Sequence, residues 1–231
     1  MKIVVLTGAG ISAESGLSTF RDPDGEWMQT DPMKLATPEG FAADPVLVHN
    51  FYNARRAQLR EVEPNAAHFA LARLERALGD DLTLVTQNVD DLHERGGSRH
   101  AVHMHGELRR AWCRACDTRM AWDEDLTLAT TCPACGEAGH MRPDIVWFGE
   151  MPYRMDEILH ALERCDMFVA AGTSGAVYPA AGFVELAADA GAETLELNLQ
   201  RSETTQLFDD HRHAPATENL PAFVDEVIGK A

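Results

Sequence analysis

Short apolar runs that alternate with helix-like segments constrain the fold of this 231-residue chain more than any other feature. The runs are four to seven residues long and occupy residues 2–7, 82–86, 167–171 and 194–199. Between them, residues 65–78 carry apolar side chains at helical spacing and stop at Gly79, which is a typical helix end. Residues 180–190 and 220–228 predict further covering helices. This rhythm predicts an α/β fold with a parallel sheet.

Two regions depart from the strand–helix rhythm. Residues 37–60 predict helical structure, and residues 108–143 contain most of the cysteines and few apolar residues. We interpret both as insertions that form a smaller lobe on the sheet domain. The predicted division of the single catalytic domain has a large lobe at about 1–34, 80–107 and 144–231, and a small lobe at about 35–79 (helical module) and 108–143 (zinc module).

The charge balance excludes one class of partner. The chain has 20 basic and 37 acidic residues and a net charge of −17, which repels phosphates and argues against direct nucleic acid binding. Met1 and Lys2 run straight into the first apolar run, and the uncharged stretch 167–184 is broken by glycines and a proline. We therefore expect no secretory leader and no membrane span, and a cytoplasmic monomer.

Four of the five cysteines form two close pairs. Cys113 and Cys116 are separated by fifteen residues from Cys132 and Cys135, a spacing that lets four thiolates surround one zinc ion. Four sulfur ligands leave no open position for water, so the predicted zinc is structural. The alternative is four unrelated buried cysteines. Cys165 lies outside the pattern and is predicted to be a small core residue.

A glycine-rich turn follows the first apolar run. Residues 8–13 (GAGISA) fit the pattern G-x-G-x-x-G/A, in which backbone amides approach a pyrophosphate; the alternative is a tight turn. Dehydrogenases with this pattern carry an acidic residue about 20 positions later, at the end of the next strand. Here Asp22, Asp24 and Glu26 lie in a polar loop, which weakens a hydride-transfer interpretation.

Several further motifs occur in a fixed order. They are residues 8–27 (GAGISAESGLSTFRDPDGEW), Gln87-Asn88-Val89-Asp90, His105-Gly106-Glu107, Arg142-Pro143 through Val146-Trp147-Phe148-Gly149-Glu150, Gly172-Thr173-Ser174 and Asn198. With the cysteine cluster between the histidine and the Arg-Pro run, the chain closely resembles the sirtuin family of NAD-dependent protein deacylases over essentially its whole length. Within that family the chain resembles class III and bacterial members that remove succinyl and acetyl groups.

The resemblance implies a Rossmann-like parallel sheet domain with a small lobe made of a four-cysteine zinc module and a helical insertion. NAD, as co-substrate, and an acyl-lysine protein or peptide would meet in the cleft between the lobes. The matching cofactor positions are Gly8, Ala9, Gly10, Ser12, Thr19, Phe20, Arg21 and Trp27 in the loop, Gln87, Asn88 and Asp90 around the nicotinamide ribose, and Gly172, Thr173, Ser174, Asn198 and Ala216 along the adenosine half. The four paired cysteines match the zinc ligands.

The resemblance also implies a reaction. The amide oxygen of the acyl-lysine attacks the nicotinamide ribose and expels nicotinamide, and a histidine then takes a proton from a ribose hydroxyl. His105 matches that catalytic histidine; because His100 and His103 lie close by, a structural role is the alternative. Phe20 offers an apolar face that could shield the ribose from water.

One pair of residues bears on the acyl group. Tyr52 and Arg55 lie three apart and share a face on a helix, where an arginine fork and a phenol suit a carboxylate. The alternative is a solvated basic helix face. The pair matches one that marks sirtuins acting on succinyl- and malonyl-lysine, and Ala36 resembles the small residue that widens their acyl pocket. Val146, Phe148 and Gly149 match further substrate positions.

Two other functions use parts of the same motif set. A sirtuin-like ADP-ribosyltransferase would keep the NAD site and pass ADP-ribose to a protein side chain. A zinc-ribbon binding module for nucleic acid or a protein partner would need the cysteines alone. The net charge and the many motifs outside the cysteine region favour the deacylase over the binding module.

Overall fold

The computed structural model describes residues 1–18 and 31–229. The predicted loop residues Thr19, Phe20, Arg21 and Trp27 lie outside these ranges, as do Asp22, Asp24 and Glu26. The strands are β1 Ile3–Thr7, β2 Leu82–Thr86, β3 Val102–His103, β4 Gly106–Cys113, β5 Arg119–Ala121, β6 Met141–Ile145, β7 Met167–Ala171, β8 Glu193–Asn198 and β9 Asp210–His213.

A parallel sheet dominates the described part of the chain. Its order is β3-β2-β1-β7-β8-β9, with β1 at the centre between β2 and β7. The predicted α/β fold with a parallel sheet is therefore confirmed. The four predicted runs coincide with β1, β2, β7 and β8 to within one residue at each end. The remaining strands, β3 and β9, have two and four residues and are too short and polar to stand out in the sequence.

The described helices fall into those that cover the two faces of this sheet and those that form a separate core. They are α1 Gly10–Ala13, α2 Pro32–Leu35, α3 Pro38–Ala43, α4 Pro45–Leu59, α5 Ala66–Leu78, α6 Leu92–Arg95, α7 Met155–Leu162, α8 Phe183–Asp189 and α9 Ala216–Ile228, with 3-10 turns at Gly79–Asp81, Ala180–Gly182 and Thr205–Leu207. Buried residues of α5 and α9 share one core with β1, β2, β7 and β8, and those of α7 and α8 share another with the opposite face. The strands β1, β2, β7 and β8 are thus buried on both faces, as is typical of a parallel sheet.

The helical module is smaller than predicted. Helix α5 presents a stripe that includes Ala67, Leu71 and Leu74 to the sheet core, and it packs against α9. Residues 66–78 therefore belong with the sheet, and not with the helical part of the small lobe, where the predicted boundary at 79 placed them. Helices α2, α3 and α4 instead form a separate core with Leu108, Ile145 and Trp147.

The cysteine region forms a second, antiparallel sheet of order β5-β4-β6. Its apolar core consists of Ala111, Cys113, Leu126, Cys132 and Met141. Strand β4 crosses β6 at Gly106, where φ is +79° and an added Cβ would lie 2.1 Å from the carbonyl oxygen of Asp144. Glycine is therefore required at this crossing. None of the described helices is long and apolar enough to pass through a bilayer.

Candidate functional site

The carboxyl ends of β1, β2, β7 and β8 meet at one edge of the parallel sheet. From β1 the chain order of the strands proceeds outward through β2 and β3 on one side, and from β7 through β8 and β9 on the other. The point between β1 and β7 where this order reverses is the topological switch point, at which open α/β sheets bind ligands. The predicted cofactor residues within the described ranges lie at this edge or close to it: Gly8, Ala9, Gly10, Ser12, Gln87, Asn88, Asp90, Gly172, Thr173, Ser174, Asn198 and Ala216.

The glycine-rich turn packs directly on the loop after β7. The Gly10 amide donates to the Gly172 carbonyl at 2.8 Å, and a Cβ on Gly10 would lie 2.8 Å from the Gly172 Cα. Gly172 has a φ of +65°, and a Cβ there would lie 2.5 Å from the Ile11 nitrogen. Both glycines are therefore needed for the turn after β1 to pack against the loop after β7. The backbone there carries no side chains, so a phosphate can approach it.

Ser12 anchors a buried polar network under this turn. Its hydroxyl accepts from the Asn88 amide at 3.1 Å and donates to the Asp90 carboxylate at 3.0 Å. The backbone N–H of Leu92 donates to the other Asp90 oxygen at 3.1 Å. Burial raises the pKa of Asp90, while these hydrogen bonds act in the opposite direction. The network ties the turn after β1 to the segment after β2.

His68 completes the network and was not predicted from the sequence. Its Nδ1 accepts the Asn65 backbone N–H at 3.2 Å, so the neutral ring carries its proton on Nε2, which faces the Ser12 hydroxyl at 3.4 Å. Burial lowers the pKa of His68 to about 4, and the ring is neutral at physiological pH. The sequence signal is a histidine on the buried stripe of α5, next to Ala67.

Gln87 and Asn198 connect three strand ends. The Gln87 side-chain amide donates to the Thr173 hydroxyl at 3.0 Å, and the Asn198 amide donates to the Thr173 carbonyl at 3.0 Å. Ala216 begins α9 and packs against the core of the sheet. The neighbouring Thr217 donates through its backbone N–H and its hydroxyl to Glu14, just after α1. The predicted adenosine-side positions thus occupy one connected region.

His105 lies between β3 and β4, beside the segment after β2. Its Nδ1 is 3.0 Å from the carbonyl oxygen of Gln87, and because a carbonyl only accepts, Nδ1 carries the proton. The Nε2 lone pair is then available to take a proton. Burial lowers the pKa of His105, and the hydrogen bond to Gln87 opposes that shift. The ring is therefore predominantly neutral near pH 7, as a general base must be.

The neighbouring histidines have other roles. His103 lies 3.2 Å from the Asn88 carbonyl through Nδ1 and 2.9 Å from the Glu94 carboxylate through Nε2. Burial lowers the pKa of His103, but the hydrogen bond and charge of Glu94 outweigh it, so the net shift is upward. His100 is exposed. Both ring nitrogens of His103 thus have partners, whereas among the hydrogen bonds of the described residues His105 has a partner at Nδ1 only.

The segment after β6 joins His105 to the helical module. The Val146 amide donates to the His105 carbonyl at 2.9 Å, and the Phe148 amide donates to the Ala36 carbonyl at 2.9 Å. Phe148 is exposed, and Gly149 has a φ of +89° with open space around its Cβ position. Val146 and Phe148 therefore connect the loop that carries His105 with the core formed by α2, α3 and α4.

Tyr52 and Arg55 lie on α4, whose buried residues share a core with Trp147 of that segment. Tyr52 is 2% exposed, and its oxygen accepts the indole N–H of Trp147 at 3.0 Å. Burial raises the pKa of Tyr52 to about 12, and the nearby positive charge of Arg55 acts in the opposite direction. Arg55 is half-buried, with its guanidinium 5.7 Å from the Phe51 ring centre. A solvated helix face does not describe this pair. Ala36 is buried in the same core.

The four paired cysteines form a compact cluster. Their sulfur atoms all lie within 4.8 Å of one another, and both Cys113–Cys135 and Cys116–Cys132 are 3.8 Å apart. A tetrahedral zinc ion with bonds of about 2.3 Å requires sulfur atoms about 3.8 Å apart. The cluster therefore fits one zinc ion with four thiolates, a closed site whose role is structural. Cys165 is buried in the sheet core, as predicted.

Comparisons with known proteins agree with this geometry. The model of the Sir2 family matches residues 8–179. A Caulobacter vibrioides protein named NAD-dependent protein deacylase is 52% identical over 233 residues, which cover 100% of this chain and 98% of that protein.

Solved structures are also similar. A Sir2 homologue in complex with NAD has a TM-score of 0.89 and 39% identity, covering 99% of this chain and 90% of its own. A Sir2 variant with a deacetylated p53 peptide and 3′-O-acetyl-ADP-ribose has a TM-score of 0.81 and 26% identity, covering 100% of this chain and 93% of its own.

Proposed function

Because this chain belongs to the Sir2 family, we propose that it is an NAD-dependent protein-lysine deacylase that removes succinyl and malonyl groups, and also acetyl groups. The resemblance recognised in the sequence is confirmed by the family match. One observation supports the acyl preference. Tyr52 and Arg55 lie on α4, and Tyr52 shares a core and a hydrogen bond with Trp147. Trp147 follows Val146, whose amide donates to the His105 carbonyl. The products would be nicotinamide, the free lysine and O-acyl-ADP-ribose.

The dinucleotide would lie along the carboxyl edge of the parallel sheet. Gly8, Gly10 and Gly172 provide a backbone surface for the pyrophosphate, and Ser12, Asn88 and Asp90 provide oriented polar groups for the nicotinamide ribose. NAD supplies the electrophilic sugar carbon. The protein positions that carbon against the amide oxygen of the substrate, because this oxygen is a weak nucleophile that reacts only when held in line.

His105 would act as the general base. Its Nδ1–H is held by the Gln87 carbonyl, which leaves Nε2 to accept a proton from a ribose hydroxyl. The hydroxyl oxygen can then attack the carbon of the activated amide. Proteins or peptides that carry acyl-lysine are the proposed partners, and the net charge of −17 would draw lysine-rich partners at low salt. We also propose a cytoplasmic location and a monomeric state.

The direct test uses acyl-lysine peptides. Purified protein is incubated with succinyl-, malonyl- and acetyl-lysine peptides, with and without NAD, and the products are identified by mass. We expect NAD-dependent loss of each acyl group and formation of O-acyl-ADP-ribose. If labelled NAD instead leaves its label on protein, the ADP-ribosyltransferase alternative is correct.

Arg55→Met is expected to separate the acyl preferences. A hydrogen-bonded charge contributes about 1.5–3 kcal/mol, so kcat/KM for the succinyl peptide should fall about 10- to 100-fold, while that for the acetyl peptide should change little. Arg60→Met, which alters an exposed arginine at the end of the same helix, is the matched control. An equal loss of both activities in Arg55→Met refutes the carboxylate role of Arg55.

The acid limb of the pH profile should report His105. Burial lowers the pKa of His105 below its ordinary value of 6.5, so the base stays unprotonated and active to a lower pH than a solvent-exposed histidine would allow. The measurement is kcat/KM for the acetyl peptide from pH 5 to pH 8, in steps of about 0.5 pH unit. As the pH is lowered, we expect kcat/KM to fall to half of its plateau value at a pH below 6.5. A midpoint above 6.5 contradicts the assignment.

A further inference from the structure

The Tyr52 hydroxyl accepts one hydrogen bond, and its own proton is left to donate. An indole N–H can only donate, so in the 3.0 Å hydrogen bond from Trp147 the Tyr52 oxygen is the acceptor. The phenolic proton must therefore point away from the indole. Among the hydrogen bonds of the described residues, none gives this buried O–H an acceptor. A buried donor normally has a partner, so the O–H is suited to an acceptor supplied by a ligand.

Trp147 is itself held firmly. Its backbone N–H donates to Glu150 at 2.8 Å, and Glu150 accepts two hydrogen bonds from the Arg142 guanidinium, at 2.7 and 3.0 Å. The same guanidinium lies 3.3 Å from the centre of one indole ring, and Phe41 packs on the indole at 5.2 Å between ring centres. The indole is 2% exposed. The direction of the indole N–H is therefore fixed. Because the Tyr52 oxygen accepts this N–H, the direction of the Tyr52 O–H bond is fixed as well.

We infer that Trp147 is a specificity-determining positioning residue, which orients the Tyr52 hydroxyl so that its proton is presented to the carboxylate of an acidic acyl group. The inference rests on the proposed function and extends it. An acetyl group has no carboxylate to accept this proton, so the orientation matters for succinyl and malonyl groups. Because burial keeps Tyr52 neutral at any working pH, its hydroxyl is a donor throughout.

The test is a double-substitution cycle on the ratio of kcat/KM for succinyl and acetyl peptides. Tyr52→Phe should lower this ratio at least about 10-fold, and Trp147→Phe, which keeps an aromatic ring but removes the N–H, at least about 5-fold. In the Tyr52→Phe background, Trp147→Phe should change the ratio no further, because it acts through that hydroxyl. A full additional loss in the double variant overturns the inference, as does an unchanged ratio in Trp147→Phe.

Phe41→Leu is the matched control. Phe41 packs on the Trp147 ring at 5.2 Å between ring centres and is buried in the same core, so its substitution loosens the packing without removing the N–H. We expect the ratio to remain within about twofold of the wild type, a smaller change than the loss of a typical hydrogen bond produces. A drop equal to that of Trp147→Phe shows that packing, and not the N–H, sets the preference, which overturns the inference.

If Trp147→Phe does not fold, a measurement that needs neither this variant nor activity still tests the inference. In a ¹⁵N-labelled wild type, the indole N–H resonance of Trp147 should exchange slowly with solvent, and in Tyr52→Phe it should shift and exchange faster. An unchanged resonance overturns the inference. Failure of the proposed function is distinct, because the wild-type protein would then show no turnover of the succinyl peptide at all.

Discussion

His105→Ala should fold, bind zinc and deacylate at least about 100-fold more slowly than the wild type, because a positioned general base contributes a factor of that order or more. The His105 ring is held at Nδ1 by the Gln87 carbonyl, and the alanine variant loses the unprotonated Nε2 that this contact leaves available. The measurement is kcat/KM for acetyl and succinyl peptides, together with zinc content and the thermal unfolding midpoint. All acyl groups should be affected alike, unlike in Arg55→Met.

His100→Ala is the matched control for this result. His100 is an exposed histidine in the same short segment, and its substitution should leave the rate within about twofold, since surface changes have small effects. If His105→Ala retains turnover near the wild-type level, His105 has no part in the mechanism, and its half-buried ring has a structural role.

Cys132→Ser should abolish zinc binding and disorder the module from β4 to β6. The apolar core of this module is small, so most of its folding free energy must come from the metal, and zinc contributes about 10–16 kcal/mol in comparable small sites. We expect zinc content to fall from one ion per chain to near zero. Backbone amide exchange should become fast across residues 109–141, while the parallel sheet stays protected.

The same variant should also lose deacylation, because Arg142 on β6 holds Glu150 and the ring of Trp147. Cys165→Ala, which alters a buried cysteine in the sheet core, is the control and should keep one zinc ion per chain. Protected amides in the module of a zinc-free Cys132→Ser variant would show that the metal is not required for its fold.

Features encoded within a few residues were predictable from the sequence. Apolar runs identified four of the six described strands of the parallel sheet, Asn65 and Gly79 bounded α5, and the cysteine spacing indicated one compact cluster. Each of these depends on local chain geometry. The identities of the cofactor and substrate positions came from the motif resemblance, and their roles stay predictions.

Features that depend on contacts between distant segments were not predictable. The hydrogen bond from Trp147 to Tyr52 spans 95 positions, and the contact of His68 with Ser12 spans 56. No local pattern specifies such pairs, since both partners occupy positions that ordinary core residues fill. The sequence-based division counted α5 with the small lobe for a related reason, because an amphipathic pattern shows that a face is buried but not against which element.

Strand β4 begins immediately after His105 and ends at Cys113, and its partner β6 returns the chain to Val146, whose amide bonds to the His105 carbonyl. The proposed base and the proposed substrate segment therefore lie together at one end of the β4–β6 strand pair. Since the His105 ring is also held by the Gln87 carbonyl after β2, this end of the strand pair is fixed to the parallel sheet, and a change in the β4–β6 pairing would displace the proposed base and the proposed substrate segment together.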